Sequence, residues 1–109
     1  MNETVLINAV RIELGLNINI SLHAVLRYIE RTYHKDIRFE CERRWKFLEH
    51  GLSADDYQLM KFIKKFYPND YERAMDDIYF FTNDKLKTFD YDGLRFVIRD
   101  DTVVTIHTI

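Results

Sequence analysis

The sequence predicts an α+β fold that is mostly helical over its N-terminal three quarters and ends in a C-terminal three-stranded antiparallel meander. Two observations carry this prediction. Up to about residue 82, apolar residues recur every three or four positions between residues that start or stop helices. Beyond Asn83 and Asp84, apolar and polar residues alternate, and the turn-forming pair Asp92 and Gly93 separates two alternating segments. Helices followed by a hairpin-connected sheet are typical of the α+β class.

The first twenty residues are compatible with two structures. Residues 2–14 fit a helix, because their apolar positions have helical spacing and Gly15 suits the position after a helix end. A strand over residues 4–14 competes, because β-branched residues are common there. Residues 17–20 alternate polar and apolar, which indicates a connector or a short extended piece.

Two helices are predicted next. Ser21 is a good N-cap for the first, and the second covers residues 38–50 and ends at Gly51. The buried stripe of the first helix consists of Leu22, Val25, Leu26, Ile29 and Tyr33. The stripe of the second consists of Ile37, Cys41, Trp45 and Leu48.

Another two helices are predicted on either side of Pro68. Ser53 with Asp56 resembles a capping box for a helix that Pro68 stops. Asn69 with Glu72 repeats the start signal for the last helix. The inner stripes of the two helices are Leu59, Met60, Ile63, Phe66 and Tyr67, and then Tyr71, Ala74, Met75, Ile78 and Phe81.

Three antiparallel strands are predicted over residues 88–91, 94–99 and 102–109. Their two-residue turns are Asp92 with Gly93, and Asp100 with Asp101. The register pairs Asp90 with Arg95, an opposite-charge pair that supports it. One face of the sheet then carries Phe89, Tyr91, Leu94, Phe96, Ile98 and Val103, together with Thr105 and His107. The other face carries Arg95, Val97, Arg99, Val104 and Ile106.

Composition and charge limit the class of protein. The 109 residues suffice for a single domain, and a chain with 47% hydrophobic and 31% charged residues is typical of globular proteins. A net charge of −2 gives no global attraction to nucleic acid or to an anionic membrane. The single cysteine excludes an intramolecular disulfide, no apolar run is long enough to span a bilayer, and the first residues lack a secretion signal's basic region. A cytoplasmic location is therefore expected.

The helix that begins after Ser21 carries the main candidate site. His23, Arg27 and Arg31 fall on one polar stripe, with Glu30 and His34 close to it. Arginines hold phosphate through fixed, bidentate charge, and an imidazole exchanges a proton near neutral pH. These are the groups that metal-independent phosphodiester cleavage needs. A solvated face in which the two arginines pair with Glu30 is the competing interpretation.

Two further sets of residues are candidates. Thr105 and His107 would complete the site if their face of the sheet meets that helix; otherwise strand propensity explains them. A basic set interleaved with Trp45 suits a phosphate backbone. Its members are Arg43, Arg44, Lys46 and Lys61. The competing interpretation is that Trp45 anchors the core while the lysines lie on a solvated face.

No cofactor or metal is expected. The sequence has no glycine-rich phosphate loop. Its histidines show no metal-ligand spacing, and one cysteine cannot build a structural zinc site. Cys41 lies on an apolar stripe and is expected to be an inert core thiol.

Residues 21–31, Ser-Leu-His-Ala-Val-Leu-Arg-Tyr-Ile-Glu-Arg, resemble the His-Ala-x-x-Arg-x-x-x-Arg helix of small domains grouped with the BrnT and RelE toxins. Residues 93–106 are similar to the closing hairpin of the same domains, with its Val-x-Thr-Val finish. The resemblance covers about a third of the chain and implies a ribonuclease site lined by His23, Arg27, Arg31 and Thr105. The three helices predicted over residues 38–82 and the negative net charge depart from that pattern.

The leading functional hypothesis is a small intracellular domain, of phage or mobile-element type, built like these ribonucleases and acting on RNA. In it His23 is the acid/base and the arginines of the stripe hold the phosphate. The alternative is a non-catalytic module that binds a protein partner, or a second copy of itself through the open edge of the sheet. Its richness in aromatic residues favours this alternative, because exposed aromatics make good interface anchors.

Overall fold

The computed structural model describes residues 18–109, and both competing predictions for residues 2–14 lie outside them. The described chain is α+β, as predicted. Its elements are β1 (Asn19–Ile20), α1 (Leu22–Thr32), α2 (Ile37–Arg44), a 3-10 turn (Leu48–His50), α3 (Asp56–Phe66), α4 (Pro68–Thr82), β2 (Phe89–Tyr91), β3 (Leu94–Arg99) and β4 (Thr102–Thr108). None of these helices is long and apolar enough to cross a membrane.

Helix α1 follows its prediction closely. The Ser21 hydroxyl accepts a hydrogen bond from the Ala24 backbone N–H at 3.0 Å and donates to the Val104 carbonyl, also at 3.0 Å. It therefore caps the helix and fastens the start of α1 to β4. The buried side of α1 consists of Ala24, Val25, Leu26, Tyr28 and Ile29.

The helix predicted over residues 38–50 is shorter than expected. Helix α2 ends at Arg44, and the chain reverses at Lys46, whose φ of 65° is left-handed. A helix cannot continue through such a residue, so a separate 3-10 turn follows and ends at Gly51, which has the same φ. Trp45 packs its ring 5.3 Å from the ring of Phe62, as the core interpretation of Trp45 predicted.

The predicted starts of α3 and α4 were each displaced by a few residues. Asp55, not Ser53, caps α3, in a reciprocal capping box with Gln58. Pro68 does not merely stop α3: it is the first residue of α4, where a missing backbone N–H costs nothing. Asn69 lies inside α4 and therefore does not cap it.

The sheet contains the predicted meander and one additional strand. Its order is β1-β4-β3-β2, with β2, β3 and β4 antiparallel and β1 parallel to β4. Asp90 pairs with Arg95, whose guanidinium reaches both carboxylate oxygens at 2.8 and 3.0 Å, so the predicted hairpin register is confirmed. Both turns of the meander have two residues of positive φ, as tight hairpins require.

A β-bulge in β4 makes the predicted sheet faces wrong beyond Val103. Val97 pairs with Thr105 while Ile98 pairs with Val103, so Val104 is an extra residue. The bulge shifts the alternation by one, and Ile106 becomes fully buried beside Phe96. Thr105 and His107, predicted on the core face, lie instead on the outer face opposite Val97 and Arg95.

Helix α1 occupies the middle of the fold. It packs along β4 on the core face of the sheet and also contacts α3 and α4. The ring of Tyr28 lies 6.5 Å from that of Phe96, and Phe81 at the end of α4 lies 6.0 Å from the same ring. The two ends of α1 therefore face different surroundings: α3 at its start, and the tip of the β2–β3 hairpin at its end.

Candidate functional site

The first turn of α1 meets the first turn of α3. His23 Nδ1 lies 2.6 Å from Asp56 Oδ2, and 42% of the His23 side chain is exposed. His23 has no other hydrogen bond among the described residues, so Nε2 has no partner there. A histidine held through Nδ1 by a carboxylate is oriented as a general base.

Two arginines and a second carboxylate complete what we call the charged cluster: His23, Arg27, Glu30, Arg38 and Asp56. Arg27 Nη1 donates to both Glu30 oxygens at 2.7 and 2.8 Å, as the competing interpretation of the stripe predicted. Arg38 Nη2 donates to Glu30 at 2.9 Å and to Asp56 at 3.1 Å. Each guanidinium is thus already paired with a carboxylate inside the cluster.

The electrostatics of Asp56 follow from these contacts. Partial burial raises the pKa of this carboxyl, but the hydrogen bonds from His23 and Arg38 outweigh burial and hold the pKa below its usual range. Asp56 is therefore ionised near neutral pH and joins α1, α2 and α3. Arg38 came from outside the predicted stripe, and only the fold brings it to the site.

Arg31 does not join the charged cluster. Eight residues separate it from His23, which corresponds to about 12 Å along the helix axis and a rotation of about 80°. It lines a cleft of about 310 Å³ between the end of α1 and the β2–β3 hairpin, which we call the hairpin cleft. The lining residues are Tyr28, Arg31, Thr32, Lys35, Phe81, Tyr91, Asp92, Leu94 and Phe96.

Thr105 and His107 are not brought to His23. They lie on the outer face of the sheet, whereas α1 packs on the core face. His107 pairs across the strands with Arg95, and its Nδ1 lies 3.2 Å from the Thr108 carbonyl. The expected convergence of the helix stripe and the last strand is therefore absent.

The predicted basic set is engaged with neighbouring side chains at two of its four positions. Arg44 pairs with Glu40 at 3.2 Å and lies 4.0 Å from the ring centre of Phe66. Lys61 Nζ lies 4.5 Å from the ring centre of Tyr57. Arg43 and Lys46 are both exposed. Arg43 lies in the last turn of α2, whereas Lys46 is the left-handed residue that follows the end of this helix.

An exposed group of aromatic residues was not predicted as a site. We call Phe80, Phe81, Phe89 and Tyr91 the aromatic surface; 79% of Phe80 and 52% of Tyr91 are exposed. Phe81 lies 5.7 Å from Phe80 and 4.7 Å from Tyr91, measured between ring centres. These residues line a second groove of about 330 Å³, and Phe81 and Tyr91 also form a wall of the hairpin cleft. The signal in the sequence was the adjacent pair Phe80 and Phe81, because two neighbours on a helix point about 100° apart.

Two tyrosines fasten α1 to α4 beside the hairpin cleft. The hydroxyls of Tyr28 and Tyr33 both donate to Asp77 Oδ2. Burial and the Asp77 carboxylate raise the pKa of Tyr28 and raise that of Tyr33 to about 12. Both hydroxyls therefore stay protonated and serve as structural donors.

The described residues offer neither a metal site nor an activated thiol. Residues 18–109 contain no group of three or more His, Cys, Asp or Glu side chains arranged to hold a metal ion. Burial raises the pKa of the Cys41 thiol to about 11, which keeps it protonated and unreactive. No protein-family model matches the chain, and no curated protein or solved structure gives a significant match to it.

Proposed function

We propose that this chain is a non-catalytic protein-interaction module that contacts its partner through the aromatic surface. The observation that carries the proposal is the exposure of Phe80 and Tyr91, 79% and 52%, on either side of the half-buried Phe81. Exposed aromatics grouped around grooves are typical of binding sites rather than of inert protein surface.

The energy available from this surface is substantial. Burial of a large apolar side chain contributes about 1.5–3 kcal/mol. Because 79% of Phe80 and 52% of Tyr91 are exposed, their burial together offers roughly 2–4 kcal/mol before the costs of association. The side chains beneath them, Phe81 and Phe89, are half-buried and packed against the core, so the surface is already ordered before a partner arrives.

The charged cluster supports binding chemistry less well. Its two guanidinium groups face two carboxylates, so an incoming anion would have to break an existing ion pair. The last strand contributes no wall to it. A partner that binds the exposed rings of the aromatic surface does not have to break an ion pair of the charged cluster.

Site-specific photocrosslinking tests the proposal. The photoreactive amino acid p-benzoylphenylalanine replaces Phe80 in one variant and Phe39 in a control; Phe39 is 57% exposed on α2, away from the aromatic surface. After irradiation in an extract of the cells that encode the chain, position 80 is expected to give one discrete polypeptide adduct and position 39 none. Tyr91→Ser should remove that adduct. An absence of adducts at position 80, or the same adducts at both positions, would contradict the proposal.

A second candidate function, metal-independent RNA cleavage, is favoured by the His23–Asp56 pair. The 2.6 Å contact at Nδ1 orients the ring and leaves Nε2 for a ribose hydroxyl. The resemblance to BrnT- and RelE-type domains, and hence to phage or mobile-element ribonucleases, adds to this candidate. In it Arg27 would have to exchange Glu30 for a phosphate.

Cleavage of a labelled RNA in excess chelator tests the second candidate. Wild-type protein should cleave, and His23→Ala and Asp56→Asn should each lower the rate by about 100-fold or more. Thr105→Ala and His107→Ala should leave the rate unchanged, because they lie on the other face of the sheet. No cleavage by any protein, or equal cleavage by all, rejects the candidate.

A further inference from the structure

Arg31 and Lys35 lie at one end of the hairpin cleft and are cations without a partner in the described part of the chain. Arg31 Nε is buried and has no hydrogen-bond partner in the described part of the chain. Neither residue forms an ion pair or a hydrogen bond within residues 18–109. The other two arginines at the middle of the fold, Arg27 and Arg38, are both paired. Among the arginines of α1 and Arg38, Arg31 is therefore the one whose positive charge no described carboxylate compensates.

The opposite side of the cleft is apolar. Leu94 and Phe96 are buried and form its floor, while Phe81 and Tyr91 form a wall. The polar groups of Tyr28 and Thr32 that line it are already committed, to Asp77 and to the Tyr28 carbonyl respectively. A ligand that fits this cleft carries an apolar group for the floor and an acidic group for the two cations.

We propose that the hairpin cleft binds an acidic side chain adjacent to an apolar one in a peptide segment of a protein partner, with Arg31 and Lys35 holding the carboxylate. This inference rests on the proposed function, since the cleft adjoins the aromatic surface. The inference specifies that the partner presents a carboxylate next to an apolar side chain. A carboxylate in the cleft would form charge-assisted hydrogen bonds with the guanidinium of Arg31, which lines the cleft.

Charge around the cleft favours a single carboxylate over a nucleic acid. Asp92 lines the cleft itself, and Asp84 and Asp90 line the neighbouring groove. Asp90 and Asp84 are paired with Arg95 and Lys85, so Asp92 is the carboxylate that would repel a polyphosphate chain entering the cleft. A peptide with one acidic side chain brings a single negative charge to the two cations, so Asp92 repels it less than a chain of phosphates.

The test uses two capped dipeptides, acetyl-Phe-Glu-amide and acetyl-Phe-Gln-amide, titrated into the full chain and followed by amide chemical shifts in nuclear magnetic resonance. The glutamate dipeptide should move amides of the hairpin cleft with a Kd of about 1 mM. The glutamine dipeptide should bind about tenfold more weakly, because it lacks the charge. Uridine monophosphate and a hexauridylate serve as phosphate probes and should bind no better than the glutamine dipeptide.

Matched variants locate the effect. Arg31→Gln with Lys35→Gln should abolish the preference for glutamate over glutamine. Arg99→Gln with Lys87→Gln, a change of the same charge at exposed positions outside the cleft, should preserve it. Lys35→Gln alone replaces an exposed side chain and should reduce the preference severalfold, so the test does not depend on the folding of the double variant.

Each outcome has a distinct meaning. Equal binding of the two dipeptides, absence of binding, or tighter binding of hexauridylate overturns the carboxylate inference. If a position-80 adduct is still found, the aromatic surface binds its partner by other chemistry and the proposed function stands. Dipeptide binding without that adduct would overturn the proposed function instead.

Discussion

Truncation of Ile106 to alanine should be one of the most costly single changes in the last strand. Ile106 is fully buried beside Phe96, because the bulge at Val104 turns it toward the core. Replacement of a buried isoleucine by alanine lowers the free energy of unfolding by about 2–5 kcal/mol. Thr105→Ala, on the half-buried outer face, should lower it by no more than about 1 kcal/mol.

Urea unfolding followed by circular dichroism measures this difference. With a denaturant slope of about 1.5 kcal/mol/M, a loss of about 3 kcal/mol moves the midpoint down by about 2 M. His107→Ala provides a second control on the outer face and should move it little. A larger loss for Thr105→Ala than for Ile106→Ala would show that the strand alternates without a bulge. Thr105 and His107 would then return to the face on which α1 lies.

Three further predictions concern charge and the thiol. The pKa of Asp56 is lowered in the folded protein, so Asp56 stabilises the fold above the unfolded-state pKa of about 4, and this stabilisation is lost as pH falls. Asp56→Asn should therefore make the free energy of unfolding decline less steeply between about pH 5 and about pH 3. An unchanged slope would contradict this prediction. Cys41 should react with a disulfide reagent at pH 8 far more slowly in the native protein than in urea, because the thiol is buried and protonated. Arg31→Met should leave the free energy of unfolding unchanged or raise it by up to about 1 kcal/mol, since it removes a buried donor that has no partner among the described residues. A clear drop in melting temperature would show instead that the Arg31 guanidinium is satisfied in the free protein.

Local signals in the sequence predicted most of the fold. The Ser21 cap needs only the next three residues, and the pairing of Asp90 with Arg95 needs only a two-residue turn. Such features depend on neighbours in the chain, so periodicity and turn chemistry suffice to find them. The parallel pairing of Asn19 with Thr102 depends on residues at opposite ends of the described chain and left only a weak alternation in the sequence.

The errors came from single backbone conformations. One left-handed residue, Lys46, divided a predicted helix, and one extra residue, Val104, exchanged the two faces of β4. Apolar spacing did not reveal either: Leu48 has the spacing of a buried helical stripe but is 46% exposed, and strict alternation places the fully buried Ile106 on the outer face. A bulge changes the face of every residue after it, so one missed residue misplaced both Thr105 and His107.

His23, Arg27 and Glu30 of the charged cluster were predicted on or beside one stripe, but Arg38 and Asp56, which come from other helices, were not. His23, Arg27 and Arg31 do share the polar side of α1, yet the elements that meet that side differ along its length. Asp56 reaches His23 from α3, whereas the β2–β3 hairpin faces Arg31. Helical spacing indicates on which side of a helix a residue lies but not which residue contacts it, because that contact comes from another element.

The two arginines of this stripe differ in their ion pairs: Arg27 is paired with Glu30, whereas Arg31 has no ion pair among the described residues. Arg27 sits between carboxylates that join three helices, so an anion that binds Arg27 must displace Glu30 and leave this half-buried carboxylate with Arg38 as its remaining partner among the described residues. The loss of this pair offsets part of what the new contact contributes. Arg31 has no ion pair to break within residues 18–109, and its side chain lines the hairpin cleft that a carboxylate would enter. The same residue type on the same helix is therefore structural at position 27 and suited to binding at position 31.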